Sequence, residues 1–92
     1  MNLLHTVNQS SMLKLCLRAA QSGDSVLFIE DGVYCASQLH IDEVPAGIAT
    51  FALQSDVDAR GLKARIDDKV NLINQADFVS LCCEHSKVIN WF

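Results

Sequence analysis

Residues 23–34 read GDSVLFIEDGVY, and this stretch decides the fold class that the sequence predicts. Its centre, residues 25–29, is a short apolar run rich in β-branched and aromatic side chains. A strand with one face in water alternates polar and apolar residues, whereas a strand covered by helices on both faces does not. Turn residues bound the run on each side: Gly23-Asp24 and Asp31-Gly32. We therefore predict a central strand of a parallel sheet.

The carboxyl end of this strand reads Glu30-Asp31-Gly32-Val33-Tyr34. Open α/β sheets place their working loops at this end. Glu30 and Asp31 are neighbouring carboxylates of the kind that a general acid and base use. An acidic pair at a strand end more often caps the next helix or meets a cation of a partner protein. We favour the structural interpretation of the pair.

Apolar runs and helical patterns alternate along the rest of the chain. The predicted strands are Asn2–Val7, residues 25–29, Ile48–Leu53, Val70–Ile73 and, at an edge of the sheet, Val88–Phe92. The predicted helices are one from Met12 that Gly23 ends, a short one at Val33–Ser37, one that Ser55 or Asp56 caps and Gly61 closes, and one that Asn74–Asp77 caps. Residues 38–47 are a predicted polar connection that contains the only proline, Pro45.

This alternation of strands and helices with short loops predicts a parallel sheet with right-handed crossovers. The fold class is α/β, a small three-layer sandwich in which a mostly parallel sheet of about five strands is flanked by helices. Because the chain has 92 residues, we predict one domain spanning residues 1–92.

The composition predicts an oligomer. Half of the residues are apolar, and the mean hydropathy is +0.20. A chain of this length buries only roughly 60–65% of its unfolded surface when it folds alone. We therefore expect some of the apolar residues to form exposed patches, and such patches usually mark partner surfaces.

The charge argues against direct binding of nucleic acid. The net charge is −4 and the isoelectric point is near 5.1. Only residues 60–65 concentrate three cations, whereas nucleic-acid binding normally requires a dense basic patch. No apolar run approaches the roughly 20 residues that span a membrane, and no basic residue precedes Lys14, so neither a membrane span nor an export signal is expected.

The motifs of cofactor and metal sites are absent from the sequence. Neither a G-x-G-x-x-G nor a G-x-x-x-x-G-K-[ST] pattern occurs, and no C-x-x-C or His-Cys spacing indicates zinc, so no cofactor is predicted. His5 is placed near the end of the first strand and His40 in the polar connection. His85 is expected to close the last helix, where a cation is favourable.

Four cysteines, without export features, predict reduced thiols in the cytosol. Cys16 shares a helix face with Leu13 and Leu17, where cysteine behaves as a small hydrophobic residue. A reactive thiol would need exposure and a lowered pKa. Cys35 lies near a strand's carboxyl end, and of the adjacent Cys82 and Cys83 one is expected to face inward and one partly outward.

Several short blocks in register along the chain resemble the TusB/DsrH family of sulfur-relay subunits. The blocks are Leu4-His5-Thr6, Gly23-Asp24, Glu30-Asp31-Gly32-Val33-Tyr34, Leu53 with Asp56-Val57, Ala59-Arg60-Gly61-Leu62, Asp77-Phe78-Val79 with Leu81, and Trp91. The resemblance covers essentially the whole chain and implies the DsrEFH-like version of the sandwich.

The resemblance implies a specific role. TusB-like proteins assemble with TusC-like and TusD-like subunits into a cytoplasmic heterohexamer, a dimer of heterotrimers, without a membrane anchor. That complex passes persulfide sulfur to a TusE-like acceptor, and the sulfur ends as 2-thiouridine at the tRNA wobble position. The essential sulfur-carrying cysteine belongs to the TusD-like subunit, so this chain is expected to be mainly structural and not itself an enzyme.

Cys16 keeps an alternative open. The DsrH branch, which acts in sulfur oxidation, has a cysteine in its first helix, and Cys16 matches that position by resemblance. The sequence therefore predicts either a structural Cys16 or a persulfide-accepting one. On the structural interpretation, the loop after the central strand shapes an assembly surface, with Asp31, Gly32 and Tyr34 as its candidate residues.

Overall fold

Five parallel strands form one sheet in the computed structural model, which describes residues 2–37 and 40–92. The strand order is β4-β3-β2-β1-β5, and every neighbouring pair is parallel. The strands are β1 (Leu3–Val7), β2 (Ser25–Phe28), β3 (Ala49–Leu53), β4 (Val70–Ile73) and β5 (Lys87–Trp91). The predicted fold class is confirmed, and the apolar run at residues 25–29 forms the middle strand, β2.

Three α-helices and several 3₁₀ helices connect the strands. The α-helices are α1 (Leu13–Ala19), α2 (Gln54–Ala59) and α3 (Gln75–Glu84). The 3₁₀ helices of the described residues are Ser10–Met12, Glu30–Ala36, Ile41–Glu43 and Lys63–Arg65. No helix in residues 2–37 or 40–92 is both long enough and apolar enough to cross a membrane.

The handedness of the crossovers explains the three layers. The chain steps from β1 to β2, β3 and β4 in one direction, and it returns from β4 to β5 across the whole sheet. Right-handed crossovers in opposite directions lie on opposite faces of a sheet. Consequently α1, the Glu30–Ala36 helix and α2 cover one face, which we call the α1 face, and α3 covers the other, the α3 face.

The strand β2 is buried along its entire length because each face carries its own core. Val26 and Phe28 belong to the larger cluster, under α1, whereas Leu27 points to a smaller cluster, under α3. The α3-face cluster consists of Leu4, Leu27, Leu53, Ile73 and Leu81. Burying a side chain such as Phe28 contributes about 1.5–3 kcal/mol, so both faces of β2 contribute to the free energy of folding.

The first helix ends earlier than predicted. It stops at Ala19, and Ala20 already has an extended backbone, so Gly23 lies beyond the helix instead of closing it. The cause is the Asp24 carboxylate, which accepts a hydrogen bond of 3.0 Å from the Gln21 amide. Gly23 adopts a φ of 95° in the turn that this contact creates, a conformation that favours glycine.

The helix after β2 begins earlier than predicted, at Glu30 and not at Val33. Glu30 adopts a φ of 50°, which is uncommon for any residue but glycine. Its amide donates a 2.7 Å hydrogen bond to Asp56, which fixes this conformation. Asp56 therefore does not cap α2 as predicted: α2 begins at Gln54, and both Ser55 and Asp56 lie in its first turn.

Two other predictions, one about a helix cap and one about a connection, differ in outcome. The Asn74–Asp77 cap is confirmed, since the two side chains form a reciprocal capping box at the start of α3. The connection predicted at 38–47 includes a 3₁₀ helix, Ile41–Glu43, whose Ile41 is buried. Gln38 and Leu39, which begin that predicted connection, lie outside the described residues.

Candidate functional site

Cys16, the predicted sulfur-carrying candidate, lies in α1 with its side chain wholly inside the core under the α1 face. The helical spacing, which placed Cys16 on the same helix face as Leu13, predicted this core position correctly. Burial, followed by the nearby charges of Cys35 and Asp24, raises the pKa of the Cys16 thiol to about 12. The thiolate is the nucleophilic form of cysteine, so Cys16 as folded is a protonated and poorly reactive thiol.

Cys35 belongs to the same core cluster as Cys16 and is 1% exposed. Burial, followed by the charge of Glu43, raises the pKa of its thiol to about 11. In contrast to Cys16, Cys35 lines a surface groove of about 430 Å³, which we call the Cys35 groove. The other residues that line this groove are Ser10, Ser11, Leu13, Lys14, His40 and Glu43.

The two cysteines of α3 differ from this buried pair. Cys82 is half-buried against the α3-face cluster, whereas Cys83 is exposed, as the sequence predicted. Burial, and then the charge of Cys83, raises the pKa of Cys82. All four cysteines are free thiols, and Cys83 is the most exposed of them.

The three candidate interface residues occupy the Glu30–Ala36 helix but differ in exposure. Asp31 is exposed and accepts a 2.9 Å hydrogen bond from the Arg60 guanidinium, which ties this helix to α2. Tyr34 is 45% exposed. Gly32 is buried, and a Cβ atom there would overlap the carbonyl oxygen of Val7. Asp31 and Tyr34 therefore form surface, while Gly32 allows the helix to approach β1.

A buried polar network that the sequence did not predict joins β1, β2 and β5. His5 is completely buried in the middle of β1, not near its end as predicted. Its Nε2 lies 3.0 Å from the Asp24 carboxylate, and the Trp91 indole donates a 3.0 Å hydrogen bond to its Nδ1. Because an indole N–H can only donate, the Nδ1 atom accepts, and the ring proton is assigned to Nε2, facing Asp24.

Asp24 is the anionic centre of this network. Burial disfavours its charge, but hydrogen bonds from His5 and from the amides of Gln21 and Leu3 outweigh burial and lower the pKa of the carboxyl. Leu3 N and Gln21 N each lie 3.0 Å from a carboxylate oxygen. The network fixes the start of β2 against β1 and holds the indole of β5 in place.

The end of α3 carries a second polar contact. His85 caps the helix as predicted, with Nδ1 2.6 Å from the Leu81 carbonyl and Nε2 3.0 Å from the Ser25 hydroxyl. Since a carbonyl only accepts, Nδ1 is the donor, and Nε2 accepts from Ser25.

In the described part of the chain no three His, Cys, Asp or Glu residues are placed to hold a metal ion.

Comparison with known proteins agrees with this architecture. A family model described as "DsrH like protein" matches residues 5–88. The chain belongs to the TusB/DsrH family. The resemblance that the sequence blocks indicated is thereby confirmed, and the family is one of sulfur-relay proteins.

Proteins named "Protein TusB" are similar over nearly the full chain. The relative from Photorhabdus laumondii is 33% identical over 95 residues, covering 97% of this chain and 100% of its own. The one from Klebsiella pneumoniae strain 342 is 36% identical over 96 residues, with the same coverage.

Two solved structures share the fold. The solution structure of Tm0979 from Thermotoga maritima aligns with a TM-score of 0.64 at 28% identity, covering 91% of this chain and 93% of that one. The crystal structure of the ychN protein from E. coli aligns with a TM-score of 0.66 and covers 97% of each chain. At 14% identity, the second similarity is one of fold alone.

Proposed function

We propose that this chain is a structural subunit of a TusBCD-like sulfur-relay complex in the bacterial cytoplasm. The complex passes persulfide sulfur toward 2-thiolation of the wobble uridine of tRNA. The observation that carries the proposal is the similarity to Protein TusB over 97% of this chain and the whole of the relative. The partners are TusC-like and TusD-like subunits in a heterohexamer, with a TusE-like protein as the acceptor.

The state of Cys16 supports a structural role. A side chain with no exposure cannot meet a donor or an acceptor protein without local opening of α1. A thiol whose pKa is raised to about 12 also contributes almost no thiolate at neutral pH. The sulfur-carrying thiol of the complex is therefore assigned to the TusD-like subunit.

The surface supports assembly with partner chains. Large apolar side chains are exposed at five positions of the described chain: Leu15, Tyr34, Val79, Val88 and Phe92. A small subunit that keeps apolar side chains in water gains free energy when a partner covers them. Of these, Tyr34 lies beside Asp31 in the Glu30–Ala36 helix, and we assign the TusC-like or TusD-like contact to that surface.

A deletion strain tests the role. Loss of the chain should abolish 2-thiouridine at the wobble position, measured by mass spectrometry of tRNA nucleosides. Complementation with Cys16→Ser should restore thiolation as fully as the unaltered chain does. Normal thiolation in the deletion strain would refute the proposal, and failure of Cys16→Ser alone would refute the structural assignment.

Co-purification tests the assigned surface. Tagged chain should retain TusC-like and TusD-like subunits in equal amounts. Asp31→Asn together with Tyr34→Ala should weaken that association without unfolding the chain. Asp58→Asn with Gln75→Ala, on exposed positions elsewhere, is the matched control. Equal retention by both double variants would move the interface away from the Glu30–Ala36 helix.

The matched family model favours a second candidate function. It is described as "DsrH like protein", and Cys16 lies in the first α-helix, where the DsrH branch of the family has a cysteine. On this alternative, Cys16 accepts persulfide sulfur in sulfur oxidation. A persulfide donor should then add one sulfur atom, about 32 Da, to the chain, and Cys16→Ser should lose the adduct.

A further inference from the structure

The buried polar network of β1, β2 and β5 contains a hydrogen bond that only a neutral imidazole can make. His5 is wholly buried, its Nε2 lies 3.0 Å from an Asp24 oxygen, and its Nδ1 accepts from the Trp91 indole at 3.0 Å. A neutral imidazole has one acceptor nitrogen, whereas an imidazolium donates from both nitrogens. Because Nε2 carries the proton that faces Asp24, a second proton must enter at Nδ1. There it meets the indole N–H, so that two donors face each other.

We propose that His5 is a pH-sensitive switch: the neutral imidazole holds the Trp91 indole against the sheet, and the imidazolium releases it. The segment that responds is the carboxyl end of β5. This switch goes beyond the proposed sulfur-relay role and does not depend on it, because it follows from contacts within this chain alone.

The orientation of the two rings leaves the imidazolium no other favourable contact with the indole. The ring planes differ by 20°, and the ring centroids are 6.2 Å apart. The indole N–H lies in the plane of its ring and points at Nδ1 of His5, 3.0 Å away, so the rings meet edge to edge. The imidazolium therefore does not lie over the indole face, where a cation–π attraction would replace the lost hydrogen bond.

Asp24 makes the second proton attainable. A buried imidazolium without a counter-ion would carry a large desolvation penalty. Burial opposes the charge of Asp24 as well, but hydrogen bonds from His5 and from the amides of Gln21 and Leu3 lower the pKa of its carboxyl. The carboxylate therefore stays ionised in mild acid, and protonation of His5 creates an ion pair instead of an isolated charge.

Trp91 is the partner that can move. It is only partly buried, and its strand lies at the edge of the sheet, paired with β1. Asp24, in contrast, is buried and also accepts hydrogen bonds from the Leu3 and Gln21 amides. Two opposed donors should therefore displace the indole and leave the carboxylate in place.

The other charges around His5 stay constant in mild acid. Burial, followed by the charges of Cys35 and Asp24, raises the pKa of the Cys16 thiol on α1 to about 12, so this thiol stays protonated. Lysine and arginine keep their charge throughout this range. The exposed cations on α1 and β5, the elements packed against β1, are Lys14, Arg18 and Lys87. Within the described residues, the ion-pair partner of His5 is Asp24 alone.

The first experiment follows Trp91, which is the only tryptophan of the chain. The full chain is titrated from about pH 8 to about pH 5, where imidazoles ordinarily take up a proton. The emission maximum and the quenching by acrylamide are recorded together with the far-UV circular dichroism. As the pH falls we expect a red shift and stronger quenching, because the indole enters water, with unchanged secondary structure. Both changes should reverse when the pH is raised again.

Three variants assign the transition to the network. His5→Gln cannot take up a proton and should abolish the red shift. His85→Gln is the matched control, because it removes an imidazole at the end of α3 that hydrogen-bonds elsewhere, and it should keep the full transition. Asp24→Asn should move the midpoint to lower pH, since the imidazolium loses its counter-ion.

A measurement on the unaltered chain makes the test independent of how the variants fold. In proton–nitrogen correlation spectra, the single indole N–H should lose its hydrogen-bonded chemical shift at the midpoint at which the His5 ring gains a proton. Two outcomes would overturn the switch: a red shift with an equal midpoint in His5→Gln, or an indole of the unaltered chain that keeps its environment until the secondary structure itself is lost. Either outcome leaves the tRNA and co-purification results unaffected.

Discussion

The two faces of the sheet are stabilised in different ways. Beneath α1 the core contains a buried carboxylate, a buried imidazole and two buried thiols. Beneath α3 the cluster is smaller and apolar, and the thiols of that helix lie at or near the surface. The same strand, β2, contributes alternate residues to both faces.

The two faces should differ in how much stability a substitution costs. A buried polar group that loses its partner retains its full desolvation penalty, whereas an exposed polar contact is replaced by water. The α1 face should therefore respond strongly to changes that remove a single atom or charge. The α3 face should respond weakly to comparable changes.

The largest effect is expected at Gly32, on the α1 face. Gly32→Ala places a Cβ against the Val7 carbonyl, and backbone cannot yield as a flexible side chain would. We expect a loss of about 3 kcal/mol or more in the free energy of unfolding, measured by urea denaturation. Gly61→Ala is the control: it has a φ of +63° but no neighbour within 4 Å, so it should cost only about 1 kcal/mol. Equal losses would contradict the close packing.

Asp24→Asn should have the next largest effect. The substitution removes the charged acceptor of His5 and of two backbone amides, at a cost of about 2 kcal/mol at neutral pH. Since the folded pKa of Asp24 is lowered, its contribution is present above the unfolded pKa near 4 and is lost as the pH falls through the lower folded value.

Denaturation at several acidic pH values checks this sign. The unaltered chain should lose stability as the pH falls below about 4, and Asp24→Asn should flatten that part of the curve. Asp58→Asn, at an exposed carboxylate, should leave both the stability and the pH dependence nearly unchanged. If the stability of Asp24→Asn fell as steeply with acidic pH as that of the unaltered chain, another carboxylate would be responsible for the loss.

The buried thiols should also make the free energy of unfolding fall at alkaline pH. The folded pKa of Cys16, about 12, lies above its ordinary value of 9.0, so its contribution is complete below pH 9 and is lost as the pH rises toward 12. The loss is about 1.4 kcal/mol for each pH unit between the two values. Cys16→Ala should remove this part of the slope, whereas Cys83→Ala should not. Equal slopes in the two variants would contradict the burial of Cys16.

The sequence predicted the apolar layers well because burial on both faces leaves a pattern. An uninterrupted run such as residues 25–29 has few alternatives to a central strand, and the alternation of elements then fixes the parallel topology. Helix ends were predicted correctly where the signal is local, as in the Asn74–Asp77 capping box. The predictions were wrong where a side chain distant in sequence intervened, as where Asp56 accepts a hydrogen bond from the Glu30 amide.

The polar network was not predicted either, because its contacts also join residues that are distant in sequence. His5 binds Asp24, 19 residues away, and Trp91, 86 residues away, and no periodicity links such positions. Asp24 beside Gly23 also satisfies the pattern of a turn, which conceals its burial. The blocks that indicated the family contain all three residues, so the resemblance identified them without revealing that they are in contact.

The smallest effect is expected at the start of α3. Asn74 accepts a 2.8 Å hydrogen bond from the Asp77 amide, and both residues are exposed. Asn74→Ala should cost about 1 kcal/mol, measured by urea denaturation, because water replaces part of the lost contact. Asn74→Ser keeps an acceptor at the cap and should stay close to the unaltered chain. If Asn74→Ala were as costly as Asp24→Asn, the α3 face would depend on its polar contacts as strongly as the α1 face, and the contrast between the faces would fail.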